Sequence, residues 1–251
     1  MSTSLASHTL VIVPTYNEAD NIAPLVAAIL QATPAVDILF VDDQSQDGTQ
    51  AQITRMQHQY GPQVHLLARA GKLGLGTAYV AGFQWALTRR YHVIVQMDAD
   101  LSHDPAHLPR LLTCLETADV VVGSRYVAGG GTRHWNLGRR CLSQAGARYA
   151  RWLLRLPLQD PTGGYNVWHR RVLEAIDFAA VHSEGYAFQI ECKYRAYRAG
   201  FRVVEAPIVF RERRVGASKM STRIVLEAVL RTWQLRGLRP QSPLSQKATE
   251  R

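Results

Sequence analysis

A single α/β domain, with a mostly parallel central sheet, helices on both faces and an amphipathic C-terminal helix, is the fold class that this sequence predicts. Short β-branched and apolar runs recur at 9–13, 37–41, 64–67, 92–97 and 120–122, and continuous apolar runs mark parallel strands buried on both faces. Helical spacing fills the gaps at 19–32, 49–60, 77–90 and 105–116, so strand and helix alternate as in a parallel crossover sheet. The polar clusters at 14–18, 42–47, 98–100 and 123–125 follow the strand runs. That edge, beyond the carboxyl ends of the strands, is where such sheets bind ligands.

Each element has its own local cause. The first run stops at Pro14, and the second opens after Pro34 and leads into Asp42-Asp43. Asp47-Gly48-Thr49 is a turn and cap for the helix at 49–60. The glycines of Gly71-Lys72-Leu73-Gly74-Leu75-Gly76 form a loop entering the helix at 77–90. Asp104 before Pro105 supplies an N-cap and a proline at the first helical turn. The second half is less regular. It predicts a helix over 135–154, a turn at Asp160-Pro161-Thr162-Gly163-Gly164, helices near 170–179 and over 186–198, a strand over 202–210 and a last helix from near Ser218. The main domain is drawn at 1–237, leaving a polar tail at 238–251 that carries Pro240 and Pro243.

At 251 residues and 47% hydrophobic composition the chain is able to bury a substantial core, which disfavours disorder and fibrous repeats. The net charge of +9 is unevenly spread: residues 1–125 hold 7 basic and 11 acidic side chains (net −4), and residues 126–251 hold 22 and 9 (net +13). Charge alone fits nucleic acid, anionic membrane or phosphorylated ligands. Cys114, Cys141 and Cys192 have no zinc or disulfide spacing and read as reduced structural thiols. The first residues lack a basic start, and the apolar run after them ends too soon for a signal peptide. No stretch reaches the about 20 mostly apolar residues of a membrane span. The expectation is a cytoplasmic protein.

Asp98-Ala99-Asp100 follows a strand, and in extended backbone residues i and i+2 point the same way. Two hard oxygen ligands at the ligand edge suit Mg²⁺ or Mn²⁺ shared with a diphosphate, although an Asp-rich strand end also serves as a helix cap. Asp43 lies at the same edge, where a carboxylate accepts hydrogen bonds from a nucleobase or ribose. Pro14-Thr15-Tyr16-Asn17-Glu18 brings a ring for a base to pack on and another carboxylate, or else forms a helix-entry turn. Other phosphate sites fail on spacing: no Ser or Thr follows Lys72, and Tyr79 stands where a dinucleotide fingerprint needs its third glycine.

Together these motifs resemble the polyprenyl- or dolichyl-phosphate mannose synthases, GT-A glycosyltransferases of family 2. The likeness runs from about Thr9 to Trp233. It rests on Pro14-Thr15-Tyr16-Asn17-Glu18, Val41-Asp42-Asp43 with Asp47-Gly48-Thr49, and Lys72-x-Gly74-Leu75-Gly76-Thr77-Ala78-Tyr79. It continues through Met97-Asp98-Ala99-Asp100-Leu101-Ser102-His103, Gly123-Ser124-Arg125-Tyr126 and Arg213-Arg214-x-Gly216-x-Ser218-Lys219-Met220. The resemblance implies that Pro14, Tyr16, Glu18, Val41 and Asp43 contact the nucleotide of GDP-mannose. It implies that Asp98 and Asp100, with Ala99 between them, hold Mg²⁺ or Mn²⁺ and the diphosphate, and that Asp98, Asp100 and Arg125 take part in catalysis. Arg125, Arg213 and Lys219 would bind phosphates, and Arg139 in Trp135-x-x-x-Arg139-Arg140-x-x-Ser143 would receive the lipid phosphate. Two departures fall on the acceptor side. Gln144-Ala145-Gly146-Ala147 stands where the family commonly has Asn, and Tyr165-Asn166 stands where it has an aromatic-Arg pair.

The implied reaction is metal-dependent mannosyl transfer to a polyprenyl or dolichyl monophosphate, with inversion to a β-linked product. Such an acceptor is already anionic and needs positioning rather than a base. UDP-glucose is the alternative donor, and a basic nucleic-acid-binding domain is the alternative of another class. The latter is disfavoured because the basic residues lie beside carboxylates and form no recognition motif, so no nucleic-acid partner is expected. On a helical wheel Val225, Val229, Trp233, Leu226 and Leu230 fill one arc opposite Glu227, Arg231 and Gln234. That arc suits a core helix or, with a lipid acceptor, one lying on the cytoplasmic face of a membrane. A separate membrane-anchoring protein partner is compatible with either. Gly129-Gly130-Gly131 reads as a lid or as a turn.

Overall fold

The computed structural model describes residues 8–181, 183–212 and 222–237. Strands form at all five predicted runs: β1 (Thr9–Thr15), β2 (Asp37–Asp42), β3 (Val64–Ala68), β4 (Val93–Gln96) and β5 (Val120–Ser124). Two short strands, β6 (Gly131–Arg133) and β7 (Asn166–His169), were not predicted, and the expected run at 202–210 divides into β8 (Val203–Pro207) and β9 (Val209–Arg211). The division falls at Ile208, whose amide still donates to the Ser124 carbonyl of β5 while its own carbonyl accepts from Gly131 of β6, so the chain passes there from one sheet to the other. The helices are α1 (Ala19–Ala32), α2 (Thr49–Tyr60), α3 (Leu75–Leu87), α4 (Leu108–Leu115), α5 (Leu137–Leu154), α6 (Arg170–Ala175), α7 (Gly185–Arg198) and α8 (Thr222–Leu235).

The main sheet has seven strands in the order β3-β2-β1-β4-β7-β5-β8. Its strands run parallel except β7, which is antiparallel to both β4 and β5. A strand that runs backward begins where its neighbours end. The segment before β7, at 160–165, is therefore delivered to the ligand edge. β6 and β9 pair in a separate two-stranded sheet, which makes Gly129-Gly130-Gly131 the entry to a strand.

Strand alternation divides the core. Val11 and Val13 face α1, α2 and α4 through Ile22, Leu25, Ile53 and Leu111. Leu10 and Ile12 face α3, α6 and α7 through Tyr79, Phe83, Leu173 and Phe188. Helix α3 comes so near β1 that a Cβ on Gly82 would lie 2.6 Å from Ile12 Cγ2. A third cluster joins α5, α7 and α8 through Leu154, Tyr194 and Leu235.

Several boundaries moved. The segment predicted as a helix over 105–116 opens with a 3₁₀ turn at Pro105–His107, capped by Asp104 Oδ1 accepting from the Ala106 amide at 3.0 Å. The helix expected over 135–154 starts at Leu137, where Asn136 Oδ1 accepts from the Arg139 amide at 2.8 Å. The one near 170–179 stops at Ala175 and is followed by a 3₁₀ turn at Phe178–Ala180. The expected helix start near Ser218 and the tail at 238–251 lie outside the described residues.

Candidate active site

The carboxyl edge collects the predicted residues from four strands. Pro14 and Val41 are register partners on β1 and β2. The Val41 side chain is fully buried in the core, so it forms the floor below this edge. Asn17, with φ of 57°, turns the chain out of β1. Its amide donates to Ser45 Oγ and its Oδ1 accepts from the Gln46 amide, both at 2.9 Å, which locks the loops after β1 and β2 together. Asp47 accepts from the amides of Ala19 and Thr49 and from the Thr49 hydroxyl. Burial works against its charge, but these donors outweigh burial and hold its carboxyl below the usual range. Glu18 Oε2 accepts from Asn21 Nδ2 at 2.7 Å, beside the entry of α1.

Tyr16 is half-buried, and Lys72 Nζ sits 4.0 Å from its ring centroid. Asp43 is tied to the glycine loop. Its carboxylate accepts from Arg69 Nη1 and from the amides of Leu73 (3.0 Å) and Gly74 (2.9 Å). A carboxylate has about four lone-pair positions, so three are committed to shaping the loop. The carboxylate that the sequence offers to a nucleotide thus also braces the segment that carries Lys72.

Asp98 and Asp100 do not continue an extended strand. β4 ends at Gln96, and the chain turns through Leu101 with φ of 60°. The premise that both side chains share one strand face is thereby replaced by a turn that treats them differently. Asp98 has a side chain 33% exposed, whereas Asp100 is buried and accepts from the Ser102 amide at 3.0 Å. Tyr79 OH donates to Asp98 Oδ1 at 3.3 Å. Burial, followed by the charges of Asp98 and then Asp100, pushes this phenol far above its ordinary value and keeps it a donor. His103 Nδ1 accepts from the Asp98 amide at 3.1 Å. Ala99 is buried between the two aspartates.

Among the described residues no group of three or more His, Cys, Asp and Glu is placed to hold a metal ion. Two carboxylates at a turn fit Mg²⁺ or Mn²⁺, which bind through one or two carboxylates and take the rest of their shell from phosphate and water.

Arg125 is the most firmly held cation of the site. Its Nε and Nη2 each meet an Asp160 oxygen at 2.7 Å, its amide donates to Asp160 Oδ2 at 3.0 Å, and Nη2 also reaches Thr162 Oγ1 at 2.8 Å. Burial opposes the Arg125 charge, but the Asp160 carboxylate outweighs it and raises the pKa further. Burial likewise opposes the Asp160 charge, and Arg125 holds that carboxyl below its ordinary value. Aromatic rings surround the guanidinium, with Tyr126, Trp135 and Phe210 centroids at 5.2, 5.6 and 5.7 Å. Arg139 lies 4.3 Å from the Trp135 ring and donates to Glu212 Oε1 at 3.0 Å. Tyr126 OH donates to Ser143 Oγ at 2.7 Å. Trp135 thus brings together the two arginines that the sequence places 14 residues apart. Arg213 and Lys219 lie outside the described residues.

Asp160, Tyr79, Trp135 and Phe210 were not foreseen in these roles. Asp160 was legible only as a turn residue, and nothing in local spacing pairs it with Arg125. Four residues beyond Arg125's partner, Gly164 leaves room beside Asp98 for little more than a methyl group: a Cβ there would lie 3.7 and 3.8 Å from the two Asp98 carboxylate oxygens and 3.2 Å from His103 Cε1.

Comparison with known proteins agrees with this architecture. A family model described as glycosyl transferase family 2 matches residues 10–177. The polyprenol monophosphomannose synthase of Mycolicibacterium smegmatis is 48% identical over 232 residues, covering 91% of this chain and 88% of that protein. The undecaprenyl-phosphate mannosyltransferase of Micrococcus luteus is also 48% identical, over 88% of this chain and 90% of that protein. Among solved structures, glucosyl-3-phosphoglycerate synthase from Mycobacterium tuberculosis, with Mn²⁺, UDP and glucosyl-3-phosphoglycerate, superposes with a TM-score of 0.68. It is 19% identical, over 92% of this chain and 80% of that one, so the likeness is one of fold. By the family model, by two relatives matched along most of their length and by its fold, the chain belongs to glycosyl transferase family 2.

Proposed function

We propose that the protein transfers mannose from GDP-mannose to a polyprenyl monophosphate of the undecaprenyl or dolichyl kind, giving a β-linked mannosyl phosphate. The observation that carries this reading is the likeness, along nearly the whole chain, to two enzymes named for placing mannose on polyprenyl phosphates. The arrangement of the site supports it. Tyr16, Lys72 and the Asp43-braced loop face one side, suited to a nucleotide. Arg125 and Arg139, gathered around Trp135, form a cationic and aromatic corner suited to a phosphate that bears a hydrocarbon tail.

In this reading an acceptor phosphate oxygen forms a bond to the anomeric carbon as the bond from that carbon to the donor's β-phosphate oxygen breaks, and GDP leaves. A single displacement inverts the α-linked donor to a β product. Asp98 and Asp100 would hold Mg²⁺ or Mn²⁺, which when bound offsets charge on the leaving diphosphate. Tyr79 orients Asp98 by hydrogen bond. Arg125 and Arg139 reduce repulsion between the two phosphate groups and fix the acceptor, with Arg213 and Lys219 assigned to the same task from the sequence alone. The acceptor gives up no proton at neutral pH. A test follows directly: mannolipid should form from polyprenyl phosphate and not from free polyprenol, whereas equal transfer to the free alcohol would remove the phosphate-nucleophile assignment.

No described helix is long and apolar enough to cross a membrane. Val229, Leu230 and Trp233 on α8 are 36%, 57% and 56% exposed, while Thr232 and Leu235 point inward. Trp152 and Leu142 on α5 add to the exposed apolar surface, and Tyr149 OH reaches the Val229 carbonyl at 3.3 Å to tie the two helices together. The wheel's proposed arc therefore faces outward at the described positions; the side chains of Val225, Leu226 and Glu227 lie outside the described residues. We assign this face to a peripheral site on the cytoplasmic surface of a membrane. Replacing Val229 and Trp233 with Ser should weaken binding to anionic liposomes by about tenfold or more in a co-sedimentation assay. Unchanged binding would remove α8 from the membrane contact.

A further inference from the structure

Beneath the 160–164 turn lies a buried charge that the transfer chemistry above does not use. Lys193, on the inner face of α7, is 0% exposed. Its Nζ donates to the carbonyls of Pro161 (3.1 Å) and Gly163 (2.6 Å) and, one turn back in its own helix, Gln189 (3.3 Å). An ammonium has three protons, and three carbonyls take them. Burying such a group is costly unless it is fully bonded. Burial pushes the Lys193 pKa down to about 7, with Asp160 pulling it upward most strongly; Cys192, Arg125 and Glu205 are the other charged or titratable groups acting on it.

Asn166, the first residue of β7, reaches the same place. Its Nδ2 donates to the Gly163 carbonyl at 3.2 Å, as well as to Gln96 Oε1 (3.0 Å) and Gln189 Oε1 (2.9 Å). The strand brings an uncharged amide to the Gly163 carbonyl, and α7 brings a cation to it.

The turn so held touches both halves of the site. At one end the Asp160 carboxylate accepts from the side chain and the amide of Arg125, and Thr162 Oγ1 accepts a further bond from the guanidinium. At the other end Gly164 lies about a methyl group's width from the Asp98 carboxylate: a Cβ there would be 3.7 and 3.8 Å from its two oxygens. Glu205 fixes the start of the turn by accepting from the amides of Gln159 and Asp160, both at 2.7 Å. A shift in the middle of the turn would move the Asp160 and Thr162 oxygens that hold Arg125 and change the space beside Asp98.

We propose that Lys193 is a positioning residue: by donating from α7 to the carbonyls of Pro161 and Gly163 it holds the 160–164 turn that carries the Arg125 partner Asp160 and passes beside Asp98. Its effect on rate rests on the transferase reading above, whereas its effect on the turn stands apart from it.

The experiment compares the full chain with Lys193→Met and with the double variant Lys193→Met/Asn166→Arg. The single change keeps the side chain's length and removes its charge and donors; the double change returns a cation from the strand. Amide hydrogen exchange of residues 160–164 is measured beside steady-state mannosyl transfer. In Lys193→Met the turn should exchange about tenfold faster or more with β1 and β2 unchanged, and kcat should fall by a similar factor with the donor KM within about threefold. The double variant should recover most of both losses. If Lys193→Met does not fold, recovery of folding in the double variant supports the proposal and failure of both overturns it. Unchanged exchange at 160–164, or a double variant no better than the single one, also overturns it. A wild-type chain that forms no mannolipid would sink the functional reading, and the exchange data would still decide the role of Lys193.

Discussion

Asp98→Ala should lower metal-dependent turnover on the order of a thousandfold while leaving the thermal melt nearly unchanged. The magnitude is that expected when the main electrostatic support of a leaving diphosphate is removed, about 4 kcal/mol of barrier. The intact melt follows from position: Asp98 stands in a turn beyond β4 with a side chain one-third exposed, so little packing depends on it. Asp100→Ala should lose turnover to a similar degree and also cost about 1 kcal/mol of stability, because its buried carboxylate accepts from the Ser102 amide. Assays across a Mn²⁺ titration, paired with circular dichroism, separate these effects. Near-normal turnover in both variants would remove the metal assignment.

Asp160→Ala is expected to be the most destabilising single change in the site. It strips a buried guanidinium of a carboxylate that meets it through two side-chain bonds and one amide bond. Breaking one partner of such a pair costs about 3–5 kcal/mol, because the remaining charge stays buried and unpaired. For a chain of this size that corresponds to a fall of about 10 °C in melting temperature. Arg125→Lys should be milder in stability and severe in turnover, since an ammonium cannot make the forked contact with Asp160 and still face the rings of Tyr126 and Trp135. The pair also has a pH signature. Asp160 has its folded pKa depressed, so its contribution is complete above the ordinary carboxylate range and is lost as the pH falls through the folded value. Wild-type and Asp160→Asn melts should therefore draw together in acid; a constant gap down to the acid limit would assign the stability to something other than the ion pair.

The parts of this molecule that were legible in sequence are those whose cause is local. The strands β1 to β5 follow from apolar runs bounded by proline, aspartate and glycine, and α1 and α2 have the predicted bounds because a Pro-containing turn or an Asp-Gly cap delimits them. β7 was hidden because its cause is tertiary. Asn-Val-Trp-His has polar ends and only four residues, and it becomes a strand by pairing with β4 and β5 on its two sides. Missing β7 meant missing why the 160–164 turn reaches the ligand edge, and with it the partnership of Asp160 and Arg125. The site residues were legible as types at a sheet edge. Their differences were not: Asp43 is occupied in bracing a loop, Asp100 is buried, and Asp98 is left most open. The opening charge imbalance also gains a location. Front-half carboxylates gather beyond β2 and β4, and Arg139 from the basic half meets Arg125 across one tryptophan ring.

The proposed reaction moves mannose from GDP-mannose onto a polyprenyl phosphate. The most direct measurement incubates the full chain with polyprenyl phosphate, Mn²⁺ and, in separate reactions, labelled GDP-mannose or labelled UDP-glucose, and follows label into the lipid phase. The expected result is a labelled lipid from GDP-mannose, released by mild acid as mannose, and little or none from UDP-glucose. Transfer from UDP-glucose but not from GDP-mannose would contradict it.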